Sequence, residues 1–276
     1  MKTLAVLFAT AALACAYDVE DKETIHQSFP AATRLDLDNV NGYAHVTGYN
    51  GTEIVMDAQK TIRAESQDRL DAAKRDVKLE TSQSGGEVKL YVDGPFRCHC
   101  SDGGSGMHDH GHLGYSVEYD FELKVPAGAV LRLATVNGHL QVENTTGDFD
   151  LSSVNGAIEL TEASGSGNVH TVNGRITATF ARNPSNATSF KTVNGSIEAS
   201  FRPNLSADVR LKTFHGAAYT DFDTTALPNA APVAEQRNGR FVYRSNRSSA
   251  VRVGSGGPEC KFETLNGSIR ILKRGQ

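Results

Sequence analysis

The stretch LRLATVNGHLQVENTTGDFDLSSVNGAIELTEASGSGNVHTVNGRITATF, residues 131–180, decides how this chain is read. It holds one phrase three times: Val136-Asn137-Gly138, Val154-Asn155-Gly156 and Val172-Asn173-Gly174. Working outward, Val193-Asn194-Gly195 follows, then the looser copies Phe214-His215-Gly216 and Leu265-Asn266-Gly267, while Val40-Asn41-Gly42 precedes it. From Asn137 to His215 the spacings are 18, 18, 21 and 21 residues. A fixed period of about 20 residues marks a stacked-repeat architecture.

The residues around each Asn follow one template. With Asn (or His215) at position zero, apolar or small residues fall at minus six, minus four and minus one, then at plus three and plus five. Around Asn137 these are Leu131, Leu133, Val136, Leu140 and Val142; around Asn266 they are Cys260, Phe262, Leu265, Ile269 and Ile271. Alternation with period two predicts half-buried strands before and after the Asn. The step of three from minus four to minus one breaks parity, which predicts a bulge or corner just before the Asn. Asn-Gly then supplies residues that tolerate positive φ, so the chain can turn sharply.

Two architectures satisfy the template. Asn-Gly between strands is a hairpin signal, which gives an antiparallel meander. Alternatively each corner bends the chain around a coil and successive coils stack in parallel. The same residue type at the same phase favours the second, because in-line Asn side chains can hydrogen-bond along the stack. The expected fold is all-β: a single-stranded, β-helix-like β-solenoid with corners at Asn41, Asn137, Asn155, Asn173, Asn194, His215 and Asn266.

At 276 residues and 39% hydrophobic content, the chain can bury a sizeable core. A formal net charge of −4 with no basic patch argues against a nucleic-acid partner. Met1-Lys2 and the apolar run Leu4 to Ala14 read as a secretory signal, with cleavage after Ala16. The rival reading lipidates Cys15, giving a lipid anchor. The run is too short to span a bilayer, which takes about 20 residues. Residues 17–276 are expected to form one domain, with a short helix at Glu65–Asp76, an insertion over 217–257, and a terminal cap over 258–273.

Tyr119-Asp120-Phe121-Glu122-Leu123-Lys124-Val125-Pro126-Ala127-Gly128, the repeated Thr-Val-Asn-Gly, and the closing Gly256-Gly257-Pro258 to Leu265-Asn266-Gly267-Ser268-Ile269-Arg270-Ile271 resemble the bacterial putative-adhesin family. The resemblance covers roughly residues 30–273. It implies a β-solenoid-like fold in an exported or envelope-anchored protein of unknown function, and it brings no catalytic residues to carry over. His215 and the Cys/His-rich loop depart from the family pattern.

That loop, residues 98–112, carries Cys98, Cys100, His108, His110 and His112, ligand types suited to Zn²⁺ or Cu⁺. Its spacing matches no named zinc motif, and a solvated loop with a disulfide is the bland alternative. Cys260, at minus six of the last copy, reads as a core residue. Asp148, Asp150, Glu143, Glu159 and Glu198 are predicted outward, where some parallel β-helix enzymes gather acids to cut polysaccharides; here the plus-four positions are mixed in character. Asn-x-Ser/Thr sequons at Asn50, Asn144, Asn186, Asn194, Asn204, Asn246 and Asn266 read as turn chemistry. The expected role is non-catalytic and cofactor-free: an adhesin or binding scaffold in the periplasm, at the outer membrane or outside the cell, facing an unidentified envelope or extracellular ligand. Metal binding through the loop is the second reading, and polysaccharide cleavage the third.

Overall fold

A computed structural model describes residues 19–99, 105–107, 113–228, 233–237, 240–244 and 249–275. The expected signal segment with Cys15 and Ala16 lies outside them, as do Cys100, His108, His110 and His112; Cys98 is described only as backbone.

Strand is nearly the only regular structure in the described chain, and most of it is arranged as two large mixed sheets of 11 and 10 strands. The strands that lead into each Asn lie in the first sheet, and those that leave it lie in the second. The Asn-Gly pairs therefore link two sheets instead of closing hairpins. Between copies the pairing is parallel and in register. Leu131 lies between Leu35 and Phe149, Leu133 between Leu37 and Leu151, and Leu140 between Ala44 and Ile158. Ile158, Ile176, Ile197 and Ile269 continue that column. Each strand of a copy has an apolar inner face and unpaired backbone groups on both edges, so it is satisfied only by a copy on either side.

The inner columns meet in one core. Within it four rings interlock: Phe180 stacks on Phe201 with centroids 4.9 Å apart, Phe190 stacks on Phe262 at 5.0 Å, and the two pairs meet edge to face at 6.2 and 6.3 Å.

Both ends of the repeat region change to antiparallel pairing. Beyond the Asn41 copy, Arg34–Asp38 pairs in parallel with Glu87–Asp93, which turns back onto Lys78–Ser84. Ala44–Tyr49 pairs with Tyr115–Pro126, and Ile54–Ala64 and Val19–Phe29 complete that sheet. Val19–Phe29 is an edge strand rich in exposed charge, a device that discourages pairing with other chains. The helix forms at Gln67–Asp76, with Ser66 Oγ accepting from the Arg69 N–H at 3.4 Å and with Leu70 and Ala73 buried. Buried Lys60 donates to the Val77 carbonyl at the helix C-terminus, 2.7 Å away, where a cation is favoured. Burial holds its pKa below the usual lysine value.

At the other end the order of copies is not the order of the sequence. The last copy does not cap the stack. Glu259–Asn266 lies between Thr188–Lys191 and Ala207–His215, and Ile269–Lys273 lies between Ile197–Phe201 and Ala218–Thr220. The chain leaves the array after the His215 copy, returns, and places its final copy inside that one. The expected insertion also begins later than residue 217, since Ala218–Thr220 is the second strand of the His215 copy. Thr224–Ala226 and Ser249–Val253 then extend the first sheet in antiparallel sense. Because every copy offers the same pattern of edges, nothing in the template itself fixes their order.

Among the described residues no helix is long and apolar enough to cross a membrane.

Candidate functional site: the asparagine corner

The corner differs from its expected form in a way that defines the surface. Inward alternation does not break at minus one but runs straight on to minus two. Thr135, Ser153, Thr171, Thr192 and Thr264 are buried there. Their position inside an apolar wall demands a hydrogen-bond partner, and the glycine of the neighbouring copy supplies it. Ser153 Oγ donates to the Gly138 carbonyl at 3.1 Å, Thr171 to Gly156 at 2.9 Å, and Thr192 to Gly174, Thr264 to Gly195 and Thr213 to Gly267 at 3.0 Å each. In the first copy Asn39 stands at this position and reaches the Gly42 carbonyl at 3.2 Å. With that acceptor taken, the buried Thr135 hydroxyl has no partner.

The residue at minus one consequently faces outward in every copy but the first, where Val40 is buried. Val154 and Leu265 are each 40% exposed and Phe214 is 50% exposed, with Val136, Val172 and Val193 half-buried beside them. Outside the first copy this is an apolar column at the surface, not part of the core.

Next to it the Asn side chains form a continuous ladder. Asn137 Nδ2 donates to Asn41 Oδ1, Asn155 to Asn137 and Asn173 to Asn155, all at 2.9 Å; Asn194 donates to Asn173 at 2.8 Å, and Asn266 to Asn194 at 2.7 Å. Asn41 ends the chain by donating to the Val117 carbonyl at 3.2 Å. At the far end His215 Nδ1 lies 3.0 Å from Asn266 Oδ1, so Nδ1 carries the proton. The amides all point one way and polarise one another.

Glycine at plus one is required by contact, not by φ. Of the corner residues, only Gly42 and Gly267 have positive φ, and none of the ladder asparagines does. A Cβ on Gly156 would sit 1.8 Å from the Gly138 carbonyl oxygen, and one on Gly174 would sit 2.0 Å from that of Gly156.

Apart from His215 at its far end, the outward face of the corner offers only carboxamides and apolar groups. Each ladder amide spends one N–H and one lone pair along the stack and keeps one of each for solvent. These repeat at the inter-strand spacing of about 4.8 Å, beside an aliphatic row. Such a surface presents hydrogen-bond donors and acceptors beside apolar groups at a fixed spacing.

No family model matches the chain, and no curated protein matches it. Among solved structures, similarity is found to a putative cell adhesion protein from Clostridium sporogenes, at 10% identity and TM-score 0.43, covering 93% of this chain and 100% of that one. A putative adhesin from Bacteroides fragilis follows at 8% identity and TM-score 0.30, covering 91% and 97%. A putative lipid binding protein from Parabacteroides distasonis gives 11% identity and TM-score 0.27, covering 92% and 97%.

The carboxylates considered for hydrolysis do not share one phase. Glu159 is flanked by Gln141 and Thr177, and Glu198 by Thr177 and Arg270. Glu143 accepts from Gln141 at 2.7 Å, and Asp148 accepts the Ser166 N–H at 3.1 Å. Asp36, Asp148, Asp150 and Glu87 do line a recess of about 360 Å³, but Arg34 and Arg132 line it too. Arg132 stands 3.6 Å from Asp36, whose carboxyl is pushed up by burial.

Among the described residues no group of three His, Cys, Asp or Glu side chains could hold a metal ion; the ligand side chains of the Cys/His loop lie outside that description. Cys260 is buried and unpaired, and burial, helped by Glu259, pushes its thiol up to about 11. In the native protein Cys260 should react with a thiol reagent on the order of 100-fold more slowly than in urea, read on its own peptide by mass spectrometry. Equal rates would show the thiol to be open.

Proposed function

We propose that the chain is an exported β-solenoid built from 18–21-residue repeats, acting as a non-catalytic adhesin or binding scaffold of the cell envelope. The observation that carries this is the column at minus one, apolar in copy after copy, at least partly open to solvent in all but the first, and held against a fixed amide ladder. A side chain that serves only the fold has no reason to be apolar where it faces water, and a repeated exposed apolar row marks a contact surface. The parallel stacking supplies rigidity, since neighbouring copies hold each other's corners in register. Export rests on the apolar run Leu4 to Ala14, with removal after Ala16 or lipidation at Cys15 as its two outcomes. Kinship with the putative-adhesin family rests on the phrases quoted above.

The test uses purified chain beginning at residue 17 and measures its binding to cell-wall glycans, lipid vesicles and whole cells, alongside Val154→Lys and Phe214→Lys. Both positions are exposed, so thermal stability should change by no more than about 0.5 kcal/mol. Binding to whichever surface is recognised should weaken roughly tenfold per substitution, the loss expected for one desolvated aliphatic contact. Unchanged binding by both variants would remove the column from the interface.

A second reading keeps the Cys/His loop as a metal site. Arg97–His99 pairs antiparallel with Ser105–Met107, which sets Cys98 opposite Gly106. Titration of Zn²⁺ into the protein should then release heat that disappears when Cys98 and Cys100 are changed to Ser.

A further inference from the structure

Asn-Gly is the dipeptide in which an asparagine converts itself most readily to aspartate, because glycine leaves the attacking backbone nitrogen unhindered. The chain contains eight such pairs. Asn238-Gly239 lies outside the described residues. Six of the others form the ladder, and the seventh is Asn50-Gly51, in an exposed bend just after the strand Ala44–Tyr49.

The reaction needs the following N–H free to lose its proton and the side-chain carbonyl free to be approached by that nitrogen. In the ladder both are committed. All six ladder side-chain amides are hydrogen-bonded to neighbouring copies or, at Asn41, to Val117. Five of the six following glycine N–H groups donate to the next copy: Gly42 to Asn137, Gly156 to Asn173, Gly174 to Asn194, Gly195 to Asn266 and Gly267 to His215, at 3.0 to 3.1 Å. Asn50 and Gly51 have neither restraint; no hydrogen bond holds the side chain of one or the N–H of the other among the described residues. Yet Gly51 cannot readily be exchanged for a protective bulkier residue. The Tyr49 ring lies over it, 2.2 Å from where a Cβ would be, held there by the Tyr49 hydroxyl donating to the Glu53 carbonyl at 2.8 Å.

We infer that Asn50 is a site of spontaneous covalent modification, and that the ladder protects its own asparagines from the same chemistry. The Gly51 nitrogen loses its proton and attacks Asn50 Cγ. The Cγ–Nδ2 bond breaks, ammonia leaves with the proton, and a five-membered imide remains. Water then opens the ring at either carbonyl, leaving aspartate or isoaspartate. No oxidant or enzyme takes part, and each event adds one negative charge.

Purified full-length protein is held in mildly alkaline buffer, native and in urea, and mapped by peptide mass spectrometry. In the native sample the Asn50 peptide should gain the mass of an amide-to-acid exchange roughly a hundredfold faster than the peptides carrying Asn155, Asn173 and Asn194, which react only from opened states. In urea all four should react at similar rates. Asn50→Ser should remove the acidic species that accumulates on ion exchange from native protein. Ladder peptides converting as fast as Asn50 in the native sample would overturn the inference, as would an acidic species undiminished in the Asn50→Ser protein.

Discussion

Gly156→Ala should destabilise the protein by about 3 kcal/mol or more, at or beyond the upper end of what overpacking costs in a core. A single methyl has this effect because of what it meets. Its carbon would lie 1.8 Å from the Gly138 carbonyl oxygen and 2.6 Å from the carbonyl carbon. Neither atom can step aside as a flexible side chain would. The Gly138 oxygen is held by the Ser153 hydroxyl, and the strands on both sides are fixed by parallel pairing and by the side-chain amides of Asn137, Asn155 and Asn173. Relief would require the Asn137 and Asn155 copies to separate, which would break several bonds at once. Urea unfolding should show a lower midpoint, and thermal unfolding a loss of roughly 6–12 °C. Gly275→Ala, with nothing within 4 Å of the added carbon, should change stability by no more than about 0.5 kcal/mol. If Gly156→Ala were as stable as the parent, the close approach of the copies would be wrong.

Phe262→Ala should cost about 3–5 kcal/mol, the range for deleting a fully buried aromatic. Phe262 is wholly buried, stacked on Phe190 and edge-on to Phe201. Its removal would leave a hole between two other rings that are themselves stacked or edge-on to Phe180. The position adds a second effect. Phe262 belongs to the copy wedged between the Asn194 and His215 copies, so loosening it weakens the seat of Ala207–His215 as well. Phe214→Ala serves as comparison, because that ring lies on the surface; its cost should stay within about 1 kcal/mol. Guanidinium denaturation of the three proteins decides it, and equal midpoints for Phe262→Ala and the parent would show that the ring quartet contributes nothing.

The period, the strands either side of the Asn, and the inward positions at minus six, minus four, plus three and plus five were legible because burial imposes a two-residue alternation that survives in one sequence. The corner was only half legible. Valine at minus one looks like core by composition, while threonine at minus two looks like surface. The structure reverses them, since a hydroxyl whose neighbour offers a glycine carbonyl can be buried at little cost. The signal was present: a hydroxyl stands at minus two in Thr135, Ser153, Thr171, Thr192, Thr213 and Thr264, on the inward parity. An Asn-Gly pair suggests freedom in φ, whereas the constraint on these glycines comes from the next copy, which no local rule can see. The order of the copies was illegible for a related reason: Cys260 and Phe262 pair with Thr188 and Phe190 by a template they share with every other copy. Nor did the sequence announce Val19–Phe29 as a strand, because an edge strand facing water on most of its length lacks the hydrophobic alternation that would betray it.

The interior seat of the final copy has a bearing on how the molecule is made. A ribosome delivers residues 207–220 well before residues 259–273, yet the later segment belongs underneath the earlier one. Assembly therefore cannot keep pace with synthesis, one course laid upon the last. It must halt at the Asn194 course and wait for the tail to be slid home like a keystone, closing a long loop at an entropic cost that rises only slowly with its length. Until then the thread remains unfinished and pliable, and a message truncated near its end would yield a product with two raw sheet margins open to any passing strand.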